Sequence, residues 1–269
     1  MRVWEAGDGP PLLAIHGLGG SGRYWSGLAD VVGERFRVVA PDLAGFGSSD
    51  KPRDAAYDRT SHLADIDAVV AASVGEGDPI VVTGHSLGAM VALVWSARHV
   101  ERVRALALVA TPYPVPSQGW DPDASRGPRA TAIRAIAGGF RLAWPLLSLP
   151  VMASGRYPGP VIRDFGRQTL RARSRTLFAF WSDPTLSGEF PAIDRIPRAT
   201  RVVFAHAADD VRVPAANVER WRRHIPHAEA LVLPDGGHQV LLRTGFRPLA
   251  TWLTAVDDAP SPGTPTLGA

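Results

Sequence analysis

Short runs of consecutive apolar residues recur along the chain, and between them apolar positions repeat every three to four residues. Residues 12–15, 37–40, 80–83, 106–109, 201–204 and 231–233 hold such runs, with Arg37, Thr83 and Arg201 at their ends. Each is rich in Val, Leu, Ile or Ala and is bounded by Gly, Pro or charge, which predicts buried β-strands. Near-continuous hydrophobicity, rather than alternation, predicts strands covered on both faces. Residues 61–74 place Leu63, Ile66, Val70 and Val74 on one helical face, and Gly75 supplies a stop. Further helices are predicted at 87–98, at 215–224 with Val218, Trp221 and Ile225, and at 246–256 with Leu249, Trp252, Leu253 and Val256. Alternation of strand and helix implies an α/β protein with a mostly parallel, doubly wound sheet.

Residues 112–198 break the rhythm. They hold no buried-strand run, and helical patterns at 129–143, 160–172 and 174–182 lie between Pro and Gly clusters. The pattern predicts a helical insertion between two core strands, the core being residues 1–111 and 199–258. Residues 259–269 are rich in Pro, Gly, Ser and Thr and are expected to form a disordered tail.

Composition narrows the function classes. Hydrophobic residues make up 45 % of the 269 and charged residues 20 %, as in a globular protein with a sizeable core. The chain has no cysteine, so disulfides, a thiolate nucleophile and Cys-ligated zinc are excluded. No apolar run reaches signal-peptide or membrane-span length, which predicts a soluble cytoplasmic protein with no membrane partner. The net charge of +3 is unevenly spread, since residues 112–198 hold 12 arginines against 6 acids. A solvated basic face accounts for this, and attraction of an anionic substrate is the sharper alternative. The arginines accompany no nucleic-acid reader motif, so nucleic acid is not an expected partner.

The strongest chemical signal is Gly84-His85-Ser86-Leu87-Gly88, between a buried strand and an apolar helix. A serine at so tight a strand–helix turn stands exposed at the carboxyl end of the sheet, and glycines two residues either side avoid a clash. Ser86 needs a base to become nucleophilic. His238, in the loop 234–238 after the last strand, is the best placed of the eight histidines. The base needs an acid to fix its tautomer. Asp209 and Asp210 both lie in the loop after the penultimate strand, one to orient His238 and the other to shape the turn. The chain order Ser, Asp, His is the one expected of such a sheet. The glycines of His16-Gly17-Leu18-Gly19-Gly20 admit close approach of backbone N–H groups, so Leu18 and Leu87 are expected to form an oxyanion hole.

The same stretch offers a competing reading. Gly17, Gly19 and Gly22 satisfy a G-x-G-x-x-G pattern after a strand, with Asp42 20 residues beyond, as in a dinucleotide-binding oxidoreductase. A lone glycine pattern weighs less than three separate matches to nucleophile, acid and base. No Walker loop or H-E-x-x-H motif is present, so neither ATP nor zinc is indicated, and no cofactor is implied.

Taken together these blocks resemble the α/β-hydrolase superfamily, in its small capped serine esterase, lactonase and carbon–carbon hydrolase branch. The resemblance runs over about residues 10–255. It is carried by His16-Gly17, by the turn 41–49, by the elbow 84–89 and by Asp210 with Val213-Pro214 and Gly237-His238. It implies Ser86 as nucleophile, Asp210 as acid, His238 as base, and residues 112–198 as a cap. The cap aromatics Trp120, Phe140, Trp144, Tyr157, Phe165, Phe178, Phe180 and Trp181 then divide between cap core and an apolar acyl pocket. His16, Gly17, Tyr24, Trp25 and Trp181 are expected near the substrate. The activity implied is hydrolysis of an ester, lactone or thioester of a small apolar molecule. Carbon–carbon hydrolysis and biosynthetic cyclisation or decarboxylation on the same residues are alternatives, as is a non-catalytic binding protein. A small-molecule substrate is the only partner the motifs require.

Overall fold

The computed structural model describes residues 1–75, 77, 79–115 and 159–258. Seven strands form one sheet: β1 (Arg2–Ala6), β2 (Pro11–Ile15), β3 (Arg37–Asp42), β4 (Ile80–His85), β5 (Val103–Val109), β6 (Arg201–Ala207) and β7 (Glu229–Leu233). Their spatial order is β1-β3-β2-β4-β5-β6-β7. Every neighbouring pair is parallel except β1 with β3. The described helices are α1 (Ser26–Val32), α2 (Arg59–Ser73), α3 (Leu87–Arg98), α4 (Gly159–Phe165), α5 (Leu170–Leu177), α6 (Phe190–Ile193), α7 (Asn217–Arg222), α8 (Val240–Thr244) and α9 (Arg247–Asp257).

The apolar runs explain the layering. Successive side chains of a strand point to opposite faces. Leu13, Ile15, Val39 and Val82 therefore join one core with α2 and α3, while Leu12, Ala14, Val38, Ala40 and Val81 join a second with α1 and α9. Helix α3 lies in the middle of the first core, and Leu87 through Ala97 are all buried. Such a helix is apolar on every side and shows no stripe.

One expectation needs correction, and two elements lie beyond what the pattern predicts. Residues 231–233 are not a buried strand: β7 is the sheet edge, with Val232 49 % exposed. Only Leu231 and Leu233 pack inward, against the second core. Arg2-Val3-Trp4 belongs to a full five-residue strand, paired antiparallel with β3 from Arg2↔Asp42 to Ala6↔Val38. Helix α1 was not expected at all, although Leu28, Ala29 and Val32 bury one face of it.

Between β5 and β6 the described residues contain helices and turns, including a π-helical turn at Phe178–Ser182, and no strand. The expected helix at 129–143 and the tail 259–269 lie outside the described residues. Among the described residues no helix is long and apolar enough to cross a membrane.

Candidate active site

Ser86 joins β4 to α3 in a conformation that side chains rarely adopt, with φ 55° and ψ −122°. Its N–H is held by the carbonyl of Val109 on β5, at 2.8 Å. The flanking glycines are required by space. A Cβ on Gly84 would lie 2.4 Å from the Gly88 carbonyl oxygen. One on Gly88 would lie 2.3 Å from the carbonyl oxygen of Ile15 and 2.4 Å from that of His16. Elbow and first loop are thus pressed together, and no larger residue fits between them.

His238 lies in a short 3₁₀ turn (Gly237–Gln239) after β7. Its Nε2 is 3.0 Å from Ser86 Oγ, and its Nδ1 is 2.9 Å from Asp210 Oδ2. An ionised carboxylate only accepts, so Nδ1 carries the hydrogen and Nε2 turns a lone pair toward the serine hydroxyl. The side chain of Asp210 is fully buried. Its Oδ1 accepts from the N–H groups of Arg212 (2.9 Å) and Val213 (3.0 Å). Burial favours the neutral acid, but the nearby ring of His206 (3.6 Å) and hydrogen bonds from His238 and the Val213 N–H outweigh it and hold this carboxyl well below the usual carboxylate range. Asp209 does a different job: its Oδ1 accepts from the N–H of Gly237 at 2.7 Å and fixes the histidine loop.

His85, within the elbow, donates from Nε2 to the carbonyl of His238 at 2.8 Å. Burial, reinforced by His238, pushes its pKa down to about 3, so it braces the loop as a neutral ring. Tyr24 stacks on it at 5.0 Å. Neither brace was expected from the sequence, although both residues flank motifs that were.

Leu18 and Leu87 both line the cavity above Ser86. Leu87 opens α3, where first-turn N–H groups have no intrahelical acceptor. Gly17 also lines the cavity, and the turn closes with the Gly20 N–H on the Gly17 carbonyl at 2.9 Å. His16 does not reach the cavity, which corrects its expected place beside the substrate. It is fully buried and joins two loops: Nδ1–H donates to the Gly17 carbonyl (2.8 Å) and Nε2 accepts from the Leu43 N–H (3.0 Å). Burial lowers its pKa and keeps it neutral, as this bonding pattern requires. Trp25 needs the same correction. It is 0 % exposed and packs beside Phe246 in the second core, because the 3₁₀ turn Gly22–Trp25 aims it under the sheet. Its neighbour Tyr24 faces the cavity instead.

The carboxylate of Asp42 is wholly engaged by the chain. Oδ1 accepts from the Gly22 N–H and Oδ2 from the Ser48 N–H, each at 2.6 Å. The dinucleotide reading needs this acid for a ribose, and here it ties two loops together. Among the described residues no cluster of metal-ligating side chains occurs.

The cavity holds about 490 Å³. Ser86 and His238 lie in its floor, and Ile162, Phe165, Leu177, Phe180 and Trp181 come from the helical segment above. Of the expected aromatics, Phe165, Phe180 and Trp181 face the cavity. Trp120, Phe140, Trp144 and Tyr157 lie outside the described residues.

The carboxyl-edge serine on a sharp strand–helix turn, bonded in series to a histidine and a buried acid, fits the family model that matches residues 10–243, the alpha/beta hydrolase fold. The chain belongs to the alpha/beta hydrolase fold family. This hydrolase is 32 % identical over 257 residues to a pimeloyl-[acyl-carrier protein] methyl ester esterase of Chromobacterium violaceum, covering 90 % of the chain and 92 % of that relative. It is 29 % identical over 248 residues to a 2-hydroxymuconate semialdehyde hydrolase of Pseudomonas sp. (strain CF600), covering 88 % and 83 %. A thermophilic esterase from Thermogutta terrifontis shares the hydrolase's fold with a TM-score of 0.71 at 21 % identity, over 95 % of this chain and 93 % of that one.

Proposed function

We propose that the protein hydrolyses an ester, lactone or thioester of a small, mainly apolar molecule through an acyl-enzyme on Ser86. The reading rests on one observation: the unbroken hydrogen-bonded series from Ser86 Oγ through both ring nitrogens of His238 to Asp210. In the first half-reaction Oγ attacks the substrate carbonyl as its proton passes to His238 Nε2. The N–H groups of Leu18 and Leu87 hold the oxyanion. His238 then gives the proton to the leaving group as the scissile bond breaks. In the second half, water replaces the alcohol, with His238 again taking and returning one proton. Asp210 stays ionised throughout, as its depressed pKa favours. Residues 112–198 act as the cap that closes the acyl pocket. No step calls for a cofactor, and the protein works in the cytoplasm.

Support for an ester comes from the Chromobacterium relative, a methyl ester esterase. A second reading keeps the same three groups and takes a carbon–carbon bond of a diketone. The Pseudomonas relative, a semialdehyde hydrolase, keeps carbonyl substrates other than esters in view.

Turnover of p-nitrophenyl butyrate by wild type and Ser86→Ala tests the proposal. The variant is expected to lose about 10⁴-fold or more in kcat. A fluorophosphonate probe is expected to label wild type at Ser86 alone. Undiminished turnover in Ser86→Ala would overturn the assignment.

A further inference from the structure

The arginines of the helical segment have two fates. Helix α5 carries Arg171, Arg173 and Arg175. Positions four apart share a helical face, and the position between them points to the opposite side. Arg171 reaches the carbonyl of Ala55 at 3.4 Å and Arg175 that of Ala56 at 3.0 Å, so one face of α5 is bound to the core. Arg173 lines the catalytic cavity instead, its guanidinium 5.8 Å from the Phe165 ring centre. Phe165 in turn lies against Gly19 of the first loop, where an added Cβ would be 2.7 Å from the ring. Arg212 also lines the cavity, from the acid loop two residues after Asp210.

Neither Arg173 nor Arg212 has an ion-pair partner among the described residues, whereas Arg59, Arg98 and Arg167 all do. No Asp or Glu lines the cavity among the described residues. Most of the remaining lining is apolar. Both residues are exposed to solvent where they line the cleft, and two cations beside a cleft with no acidic side chain among its described residues favour an anion there. The planar fork of Arg matches a carboxylate.

We infer that the preferred substrate carries a free carboxylate besides its scissile carbonyl, and that Arg173 and Arg212 recognise it. This rests on the hydrolase reading above and names the substrate class for that same cavity. The substrate is then a half-ester of a dicarboxylic acid, or the matching lactone or thioester.

The test uses two esters with six-carbon acyl chains, 4-nitrophenyl hexanoate and the mono-4-nitrophenyl ester of adipic acid. Wild type is expected to favour the carboxylate ester by about tenfold in kcat/KM, the size of one charge-assisted hydrogen bond, with the difference mostly in KM. Raising the salt concentration shrinks that preference. Arg173→Gln and Arg212→Gln each reduce it and the double variant abolishes it. Arg247→Gln, an equal charge change on α9, leaves it intact. A wild-type preference at or below one, or one that survives the double variant, overturns the inference while leaving the hydrolase reading in place. If neither ester is cleaved, the hydrolase reading fails on its own. Calorimetric binding of monomethyl adipate against methyl hexanoate to Ser86→Ala then decides the anion preference, with equal binding counting against it.

Discussion

The floor and the roof of the cavity are fixed by different means. The floor is set by backbone. Ser86 is held by a Val109 carbonyl, His238 by a loop that Asp209 and His85 tie down, and Asp210 by two successive N–H groups. The roof is set by side chains reaching down to the core. Glu189 takes Arg59 at 2.9 Å and is also paired with Arg98, Arg59 continues to Asp183, and buried His62 meets Thr176 at 2.8 Å. On the proposed mechanism the floor atoms pass a proton and need placement to a fraction of an ångström, which contacts to the backbone supply. Atoms that sort substrates need only define a volume, and exchangeable side-chain contacts suffice for that.

The contrast can be broken at both ends. Asp210→Asn strikes the floor. The amide cannot accept and stabilise in the same way, so His238 loses its tautomer, and kcat is expected to fall by about 10⁴-fold, with a lower melting temperature as the bonds that favour the ionised acid are weakened. A stopped assay with p-nitrophenyl butyrate beside a thermal melt checks both halves. If Asp209→Asn proved the more damaging, the roles of the two acids would be exchanged.

Glu189→Gln strikes the roof. It leaves Arg59, only 15 % exposed, without its main counter-charge. Breaking such a pair costs about 2 kcal/mol once the partial exposure of Arg98 is discounted. Urea unfolding reads that loss. Activity is expected to change chiefly through KM, since the proposed proton relay is untouched. An equal fall in kcat would show that roof and floor are one mechanical unit.

The most gradual effect concerns pH. His62 is buried beneath the roof, and desolvation pushes its pKa down from 6.5 to about 4. Between those values the unfolded chain binds a proton that the folded one refuses, so stability falls as pH drops through this window. One such group contributes a slope of up to about 1.4 kcal/mol per pH unit. His85, held at about 3, adds in the same direction. His62→Asn is expected to flatten the dependence measured by urea unfolding between pH 4 and 6.5 without removing it. An unchanged slope would mean that His62 is protonated in the fold.

The same contrast explains what could be read in advance. Strands β2 to β6 are buried on both faces, and that condition imposes unbroken apolar runs. Gly84 is demanded by a clash within the elbow itself and Gly88 by the first loop pressed against it, and both flank Ser86 at fixed spacing, so the elbow is legible as a short motif. β7 looked buried because Leu231 and Leu233 are apolar, yet being the last strand depends on sheet order, which no local pattern encodes. His16 and Trp25 lie beside the site in sequence and under it in space; only the direction in which a turn aims a side chain separates those cases. The arginines at 171, 173 and 175 look alike along the chain, and the helix sends them to different ends.

The backbone of Ser86 has a consequence for heat. A φ of 55° on a serine is held against its own preference by the packing of β4, α3 and the first loop, at about 1–3 kcal/mol. That packing is among the most buried of the fold, with all of β4 and Leu87 through Ala97 of α3 shielded from solvent, so the tension persists for as long as the core does. Glycine takes such a φ without penalty, so Ser86→Gly is expected to melt later than Ser86→Ala in a thermal scan.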